Sequence, residues 1–178
     1  TVLLCTSGEV GSPFWSVRPY PINPAEIKFA EAVLQLPVRK SPSSVEKRLA
    51  FFVGHLAPTR NLRSASAYAE FALASFAEME RFSKIVGAKK LRLWLEGKVN
   101  PEYVPLFLMM LARSGDSTDI AWLEPRLMKA AQCEPDQADQ ALLFCYLRLK
   151  GPAGLEVVQQ RFLKGAVTKR SMLWFPCA

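Results

Sequence analysis

Several residue types that build active sites are scarce in this chain of 178 residues. It has one histidine, His55, beside Gly54 at a predicted helix end, where its ring can meet unpaired carbonyls. No Cys-x-x-Cys pair or clustered ligand set is present, so the sequence predicts no metal site. A Cys-His or Ser-His nucleophile would have to use His55, and no nucleophile motif accompanies it. We therefore expect no catalytic residues, and a hydrolase with an unrecognised site is kept as an alternative.

Glycine-rich phosphate loops are also lacking, because the nine glycines stand singly at predicted turns and helix ends. The sequence thus predicts no bound cofactor. Acidic residues do gather at two predicted helix starts, with Asp116 and Asp119 at one and Glu134, Asp136 and Asp139 at the other. Carboxylates at a helix N-terminus offset the macrodipole, so we interpret both groups as structural.

Long apolar runs and a signal peptide are absent from the sequence. The longest apolar run, Val104–Ala112, has nine residues, whereas a membrane-spanning helix needs about twenty. The chain opens on Thr1–Cys5, without a basic region or a long apolar segment, and this opening resembles the middle of a strand. We expect a processed or partial product whose start does not indicate its compartment.

Cysteine is too sparse for a disulfide scaffold. The four cysteines are Cys5, Cys133, Cys145 and Cys177. Cys145 lies in the apolar run Leu142–Leu147, which predicts a buried free thiol. A bridge between Cys5 and Cys177 stays open for an exported protein.

Helix signals are abundant in a chain that is half hydrophobic and 22% charged. Capping patterns occur at Asn23–Glu26, Ser43–Glu46 and Ser75–Glu78, and Asn100–Glu102 repeats the Asn-Pro start. We predict about nine helices over roughly 24–36, 44–57, 61–74, 76–86, 88–95, 101–114, 118–131, 135–149 and 152–163, with one or two more turns in 168–175.

Two prolines modify these helices. Pro105 delays the regular helix by a turn, and Pro125 predicts a kink. Val104–Ala112 is apolar on every face, which predicts a helix buried between its neighbours. Aromatic residues on apolar stripes are expected in the core: Phe51, Phe52, Phe71, Phe76, Phe107, Phe144 and Phe162.

The first 22 residues differ from the rest. Strand-like runs at Val2–Cys5 and Phe14–Val17 flank a Gly- and Pro-containing stretch, and Pro19 and Pro21 exclude a helix. We predict an extended or β N-terminal segment over 1–22 and a helical domain over 23–178.

Short helix connections give the chain a resemblance to a known family. Leu111–Asp116, followed by Ile120, Leu123 and Leu127, resembles the inter-helix turn of HEAT-like repeats, and Leu62–Phe71 is similar to the start of another. The likeness covers roughly residues 44–163. It implies an all-α, irregular HEAT-like array of helical hairpins, similar to an α-solenoid, because the spacing is shorter than the usual repeat.

The order of parts also resembles a group of uncharacterised bacterial exported proteins in which a small β domain precedes a HEAT-like helical array. In this comparison Val2–Cys5 corresponds to the last strands of the β domain, and Arg18–Ile22 to the crossing into the helices. The likeness implies no known activity and favours an extracytoplasmic location.

Basic residues supply the candidate binding residues in this chain of net charge +7. Within 84–98, Lys89, Lys90 and Arg92 surround one tryptophan, Trp94, and Arg60 and Arg63 begin an earlier helix. Such residues can hold phosphates and stack on a base. The other interpretation is a solvated face above a core tryptophan, since residues 91, 94 and 95 share a helical stripe.

Trp174 and Phe175 near the C-terminus have no later helix in this sequence to cover them. A terminal repeat normally has a polar outer face, so we expect a continuing chain or another subunit to cover them. We predict a non-enzymatic helical scaffold that binds protein partners as an accessory subunit of a larger assembly. The alternative is a HEAT-like module that binds nucleic acid through a basic face.

Overall fold

Helices dominate the computed structural model. It describes the backbone of residues 2–7 and 16–21 and all of residues 23–130 and 136–159. These residues form two strands, β1 (Val2–Ser7) and β2 (Ser16–Pro21), and nine α-helices: α1 (Pro24–Leu34), α2 (Pro42–Phe52), α3 (Leu62–Ala72), α4 (Phe76–Val86), α5 (Ala88–Glu96), α6 (Val104–Ser114), α7 (Ser117–Ala130), α8 (Gln137–Lys150) and α9 (Pro152–Val158). The all-α class is confirmed. By its internal contacts the chain divides within α2 into two compact units, residues 1–48 and 49–178.

The first unit begins with an antiparallel hairpin. Val2 of β1 lies opposite Pro21 of β2, and Ser7 lies opposite Ser16. Prolines are tolerated here because each strand of a two-stranded sheet is an edge strand, with one side free of ladder hydrogen bonds. The second strand lies further along the chain than the predicted run at Phe14–Val17. The predicted domain boundary after residue 22 stays a prediction.

Capping hydrogen bonds fix the starts of α1 and α2. Asn23 accepts the N–H of Glu26, whose carboxylate accepts the N–H of Asn23 at 2.9 Å, so the predicted cap is confirmed. The predicted cap at Ser43 is wrong. The N–H of Ser41 donates to Ser44 Oγ at 3.0 Å, and the N–H of Ser44 donates to Ser41 Oγ at 3.3 Å. Pro42 then opens α2, at a position where its missing N–H costs nothing.

The same chemistry begins helices of the second unit. Asn61 caps α3 and Ser75 caps α4, as the sequence predicts near these positions. Residues 101–103 form one 3-10 turn before α6 begins at Val104, which confirms the delay expected from Pro105. Gly87 separates α4 from α5 and has a φ of +82°, a backbone conformation that residues other than glycine rarely adopt.

Helix α6 forms the centre of the second unit. It packs against α4, α5 and α8, and the T-shaped pair Phe71–Phe82 joins α3 to α4. Its buried residues are Leu106, Phe107, Leu108, Met110, Leu111 and Ala112. Burial on several faces confirms the prediction made from Val104–Ala112. Among the helices of the described chain, none combines the length and apolar character needed to cross a membrane.

The turn between α6 and α7 consists of Gly115 and Asp116. A side-chain carbon at Gly115 would lie 2.7 Å from both Asp119 Oδ2 and the carbonyl oxygen of Leu111, so the turn accommodates only glycine without rearrangement. The two helices have little direct contact with each other, and each packs mainly on α8 or on earlier helices.

Phe76 is a correction to the predicted core. Its ring stacks on Phe144 at 6.4 Å and lies 4.8 Å from the guanidinium carbon of Arg113, yet the residue is 57% exposed. It is the first residue of α4, and its position at the helix end leaves most of the ring in solvent. Phe162 lies outside the described residues.

Candidate functional site

Helix α5 presents the most basic surface predicted from the sequence. Leu91 is fully buried and attaches the helix to the core, where Trp94 contacts the ring of Phe107 at 5.0 Å. The side of α5 away from the core exposes Lys89, Lys90 and Leu93, which we call the α5 face. Residues three and four apart lie together on a helix, so Leu93 sits beside both lysines.

An ion pair holds α5 to the start of α7. Arg92 Nε lies 2.9 Å from Asp119 Oδ1, and the aspartate side chain is 1% exposed. Oδ2 of Asp119 accepts the N–H of Asp116 at 2.9 Å, so the same carboxylate also caps α7. Within the described residues no hydrogen bond of ordinary geometry reaches Oδ1, which makes the charge of Arg92 its main compensation.

Of the three basic residues predicted on this helix, only the two lysines are available to a partner. Arg92 is paired with Asp119, a contact that the sequence did not predict. Neither Lys89 nor Lys90 lies within ion-pair distance of an acidic side chain of the described chain. The ammonium of Lys90 lies 4.9 Å from the centre of the Trp94 ring, a cation–π contact.

Leu93 gives the α5 face its apolar component. It is 67% exposed, although a leucine of a helix normally faces the core. The sequence pattern does not mark Leu93, because Leu91, Trp94 and Leu95 already form the apolar stripe of the helix. Other large apolar side chains of the second unit that are mostly exposed are Leu73, Phe76, Ile85 and Leu155.

The predicted residues Arg60 and Arg63, which lie just before and in the first turn of α3, interact with nearby side chains. Arg60 Nη1 lies 3.1 Å from both carboxylate oxygens of Glu102, and both side chains are more than half exposed. Such a pair contributes about 0.2–1 kcal/mol. Burial lowers the pKa of His55, and the charge of Arg63 lowers it further. Arg60 precedes α3 and Arg63 lies in its first turn, so neither belongs to the α5 face. The predicted Trp174 and Phe175 lie outside the described residues.

Cys145 is a free and fully buried thiol, as predicted. Burial raises its pKa to about 12, with a contribution from the charge of Asp119. A thiol with this pKa is protonated at neutral pH and is a poor nucleophile. Cys133 and Cys177 lie outside the described residues. Across residues 23–130 and 136–159, no three His, Cys, Asp or Glu side chains are grouped as metal ligands.

No model of a known protein family matches this chain. No curated protein matches it at the significance required. No solved structure matches it at that significance.

Proposed function

We propose that this protein is a non-enzymatic helical scaffold that binds an acidic protein partner through the α5 face, as an accessory subunit of a larger assembly. The observation that carries the proposal is Leu93, an exposed leucine beside two lysines without acidic partners among the described residues. An apolar anchor surrounded by charges is typical of a protein interface, where the anchor supplies affinity and the rim supplies specificity.

Charge complementarity indicates the chemistry of the partner. Lys89 and Lys90 attract a surface rich in Asp and Glu, and the net charge of +7 favours the same encounter over longer distances. The face is also preorganised, because the buried Leu91 and the Arg92–Asp119 pair fix α5 before any partner arrives. Less conformational entropy is then lost on binding.

The arrangement proposed for the helices is an irregular HEAT-like array. Short connections support it, since Gly87 alone separates α4 from α5 and two residues separate α6 from α7. The packing of both α6 and α7 on α8 is the irregular feature, because the helices of a regular hairpin pack mainly on each other. Such arrays offer extended surfaces for docking.

The test uses the purified native complex. The tagged protein is isolated from its source, its partner is identified, and the affinity of the two purified proteins is measured by calorimetry. We expect Lys89→Glu and Leu93→Ser each to weaken binding by about tenfold or more, a loss of about 1.4 kcal/mol. Leu155→Ser is the matched control, because Leu155 is 60% exposed on α9 and lies outside the α5 face. A monodisperse monomer without a partner, or equal losses in all three variants, contradicts the proposal.

Nucleic acid is the second candidate partner. The observation that favours it is the pair of adjacent lysines beside an aromatic ring, Trp94, since lysines neutralise phosphates and rings stack on bases. Single-stranded and duplex oligonucleotides are titrated at about 50 and about 200 mM salt. This candidate requires an affinity that falls steeply with salt and falls again in Lys89→Glu. A lack of binding at the lower salt excludes it.

A further inference from the structure

A small pocket opens between α5, α6, α7 and α8, away from the residues of the α5 face. Its volume is about 150 Å³, and its lining residues are Leu95, Val104, Leu108, Trp122, Arg126, Ala138, Asp139 and Leu142. Six of these are apolar or aromatic. A cavity of this size holds a group about as large as benzene or a branched aliphatic side chain.

Trp122 forms a preorganised wall of this pocket. Its indole Nε1–H donates to Glu96 Oε1 at 2.7 Å. The guanidinium of Arg126 lies 3.9 Å from the centre of its ring, and Nη1 of the same arginine donates to the Trp122 carbonyl at 2.9 Å. These contacts hold the ring in place before a ligand arrives, which lowers the entropic cost of binding.

Two opposite charges line the same pocket without pairing. Asp139 Oδ2 accepts the N–H of Asp136 at 3.2 Å, and among the described residues no other hydrogen bond or ion pair reaches this carboxylate. Burial raises the pKa of Asp139, because its charge is poorly solvated. Arg126 has no carboxylate within ion-pair distance in the described chain. Each charge thus retains the capacity to bind an opposite one.

We propose that this pocket binds a small zwitterion with an apolar side chain, of the chemical class of a free aliphatic amino acid. The side chain fills the apolar cavity, the ammonium group binds Asp139, and the carboxylate binds Arg126. A ligand with a single charge would leave either Asp139 or Arg126 without an opposite charge. An apolar side chain inserted from another protein would leave both of them without one. The proposal does not depend on the α5 face.

The test is a calorimetric titration of the whole protein with L-leucine, with isoamylamine, which lacks the carboxylate, and with 4-methylpentanoate, which lacks the ammonium group. We expect saturable binding of L-leucine and at least about tenfold weaker binding of the other two. L-serine, which has the same charges without the apolar side chain, is the matched control and should bind far more weakly.

Three variants connect the binding to its residues. Arg126→Gln should weaken binding of L-leucine and leave that of isoamylamine unchanged. Asp139→Asn should weaken the binding of L-leucine and isoamylamine and leave that of 4-methylpentanoate unchanged. The amide oxygen of the new side chain can still accept the N–H of Asp136. Ala138→Leu fills the cavity while it keeps both charges, and it should abolish binding of L-leucine. Circular dichroism verifies that each variant is folded.

Several results overturn the proposal. The first is a lack of saturable L-leucine binding up to about 10 mM, which is the weak end of specific affinities. The second is equal affinity for L-leucine and its two analogues. The third is undiminished L-leucine binding by folded Ala138→Leu. If Ala138→Leu impairs the assembly with a protein partner while L-leucine never binds, the pocket receives a protein side chain and the proposal is wrong.

Discussion

The role assigned to Arg92 changes once its neighbours in the fold are known. As part of a basic segment it resembles a contact for a partner, but its guanidinium compensates a carboxylate that is 1% exposed. Arg92→Met keeps much of the aliphatic stem and removes the charge. We expect the free energy of unfolding to fall by about 2–3 kcal/mol, less than for a fully buried pair because Arg92 is partly exposed. Urea unfolding measures the change.

Lys89→Met is the matched control for this prediction, because Lys89 is an exposed cation on the same helix. It should change stability by less than about 0.5 kcal/mol. The double variant Arg92→Met/Asp119→Asn should be more stable than Arg92→Met alone, since a buried neutral amide costs less than a buried charge. Equal losses in the arginine and lysine variants would contradict a structural role for the pair.

Cys145 and Tyr146 make the stability of the fold sensitive to alkaline pH. Burial raises the pKa of Cys145 from 9.0 to about 12, and burial with a hydrogen bond to Glu124 raises that of Tyr146 from 10.0 to about 12. Between about pH 9 and 12 the folded state therefore retains more protons than the unfolded state, and stability falls as pH rises. Below about pH 9 this contribution is fully present.

The measurement for Cys145 is urea unfolding at a series of pH values from 8 to about 11, compared with Cys145→Ala. The variant should lose stability with pH less steeply, by up to about 1.4 kcal/mol per pH unit, because one titrating group is removed. Tyr146 still titrates in both proteins and serves as an internal reference. Parallel pH profiles for the two proteins would show that the Cys145 thiol titrates normally in the fold.

At the scale of the helix, local chemistry was predictable. The caps at Asn23 and Ser75 depend on side chains within three residues, so the pattern of the sequence contains the whole interaction. The cap of α2 was misplaced because Ser41, Ser43 and Ser44 all qualify, and only the preference of Pro42 for the first helical position decides between them.

Pro125 tests a helix-scale prediction, since it lies inside α7 and lacks the N–H that would bind the carbonyl four residues earlier. Pro125→Ala should raise the free energy of unfolding by about 1–2 kcal/mol relative to the same change at Pro105. Pro105 lies in the first turn of α6, where the missing N–H has no partner within the helix. Both substitutions increase the conformational entropy of the unfolded chain by a similar amount. The difference between their changes in unfolding free energy therefore reports the hydrogen bond that Pro125 interrupts.

Thermal and urea unfolding of the two proline variants give this difference. The bend at Pro125 stays a prediction from the sequence, and greater stability in Pro125→Ala is the outcome that the interrupted hydrogen bond requires. A Pro125→Ala variant no more stable than Pro105→Ala would mean that the surrounding packing depends on the proline ring.

At the scale of the molecule, the contacts between helices were beyond the reach of the sequence. Arg92 and Asp119 belong to helices separated by α6, and Asp139 and Arg126 line one pocket only because α7 packs on α8. Periodicity assigns a buried side to each helix but leaves the packing partner undetermined. For that reason the helices were predicted, whereas the ion pair and the pocket were not.

The central position of α6 predicts where the second unit opens last. Its buried residues pack on three other helices, so exposure of their amides to solvent requires disruption of α4, α5 and α8 together. Hydrogen exchange of residues 108–111 should have a free energy close to that of global unfolding. By contrast, α9 has seven residues, packs on α8 and exposes Leu155, and its amides should exchange through local opening. Mass spectrometry of exchanged peptides separates the two helices, and equal protection of both would mean that α6 is not the last element to open.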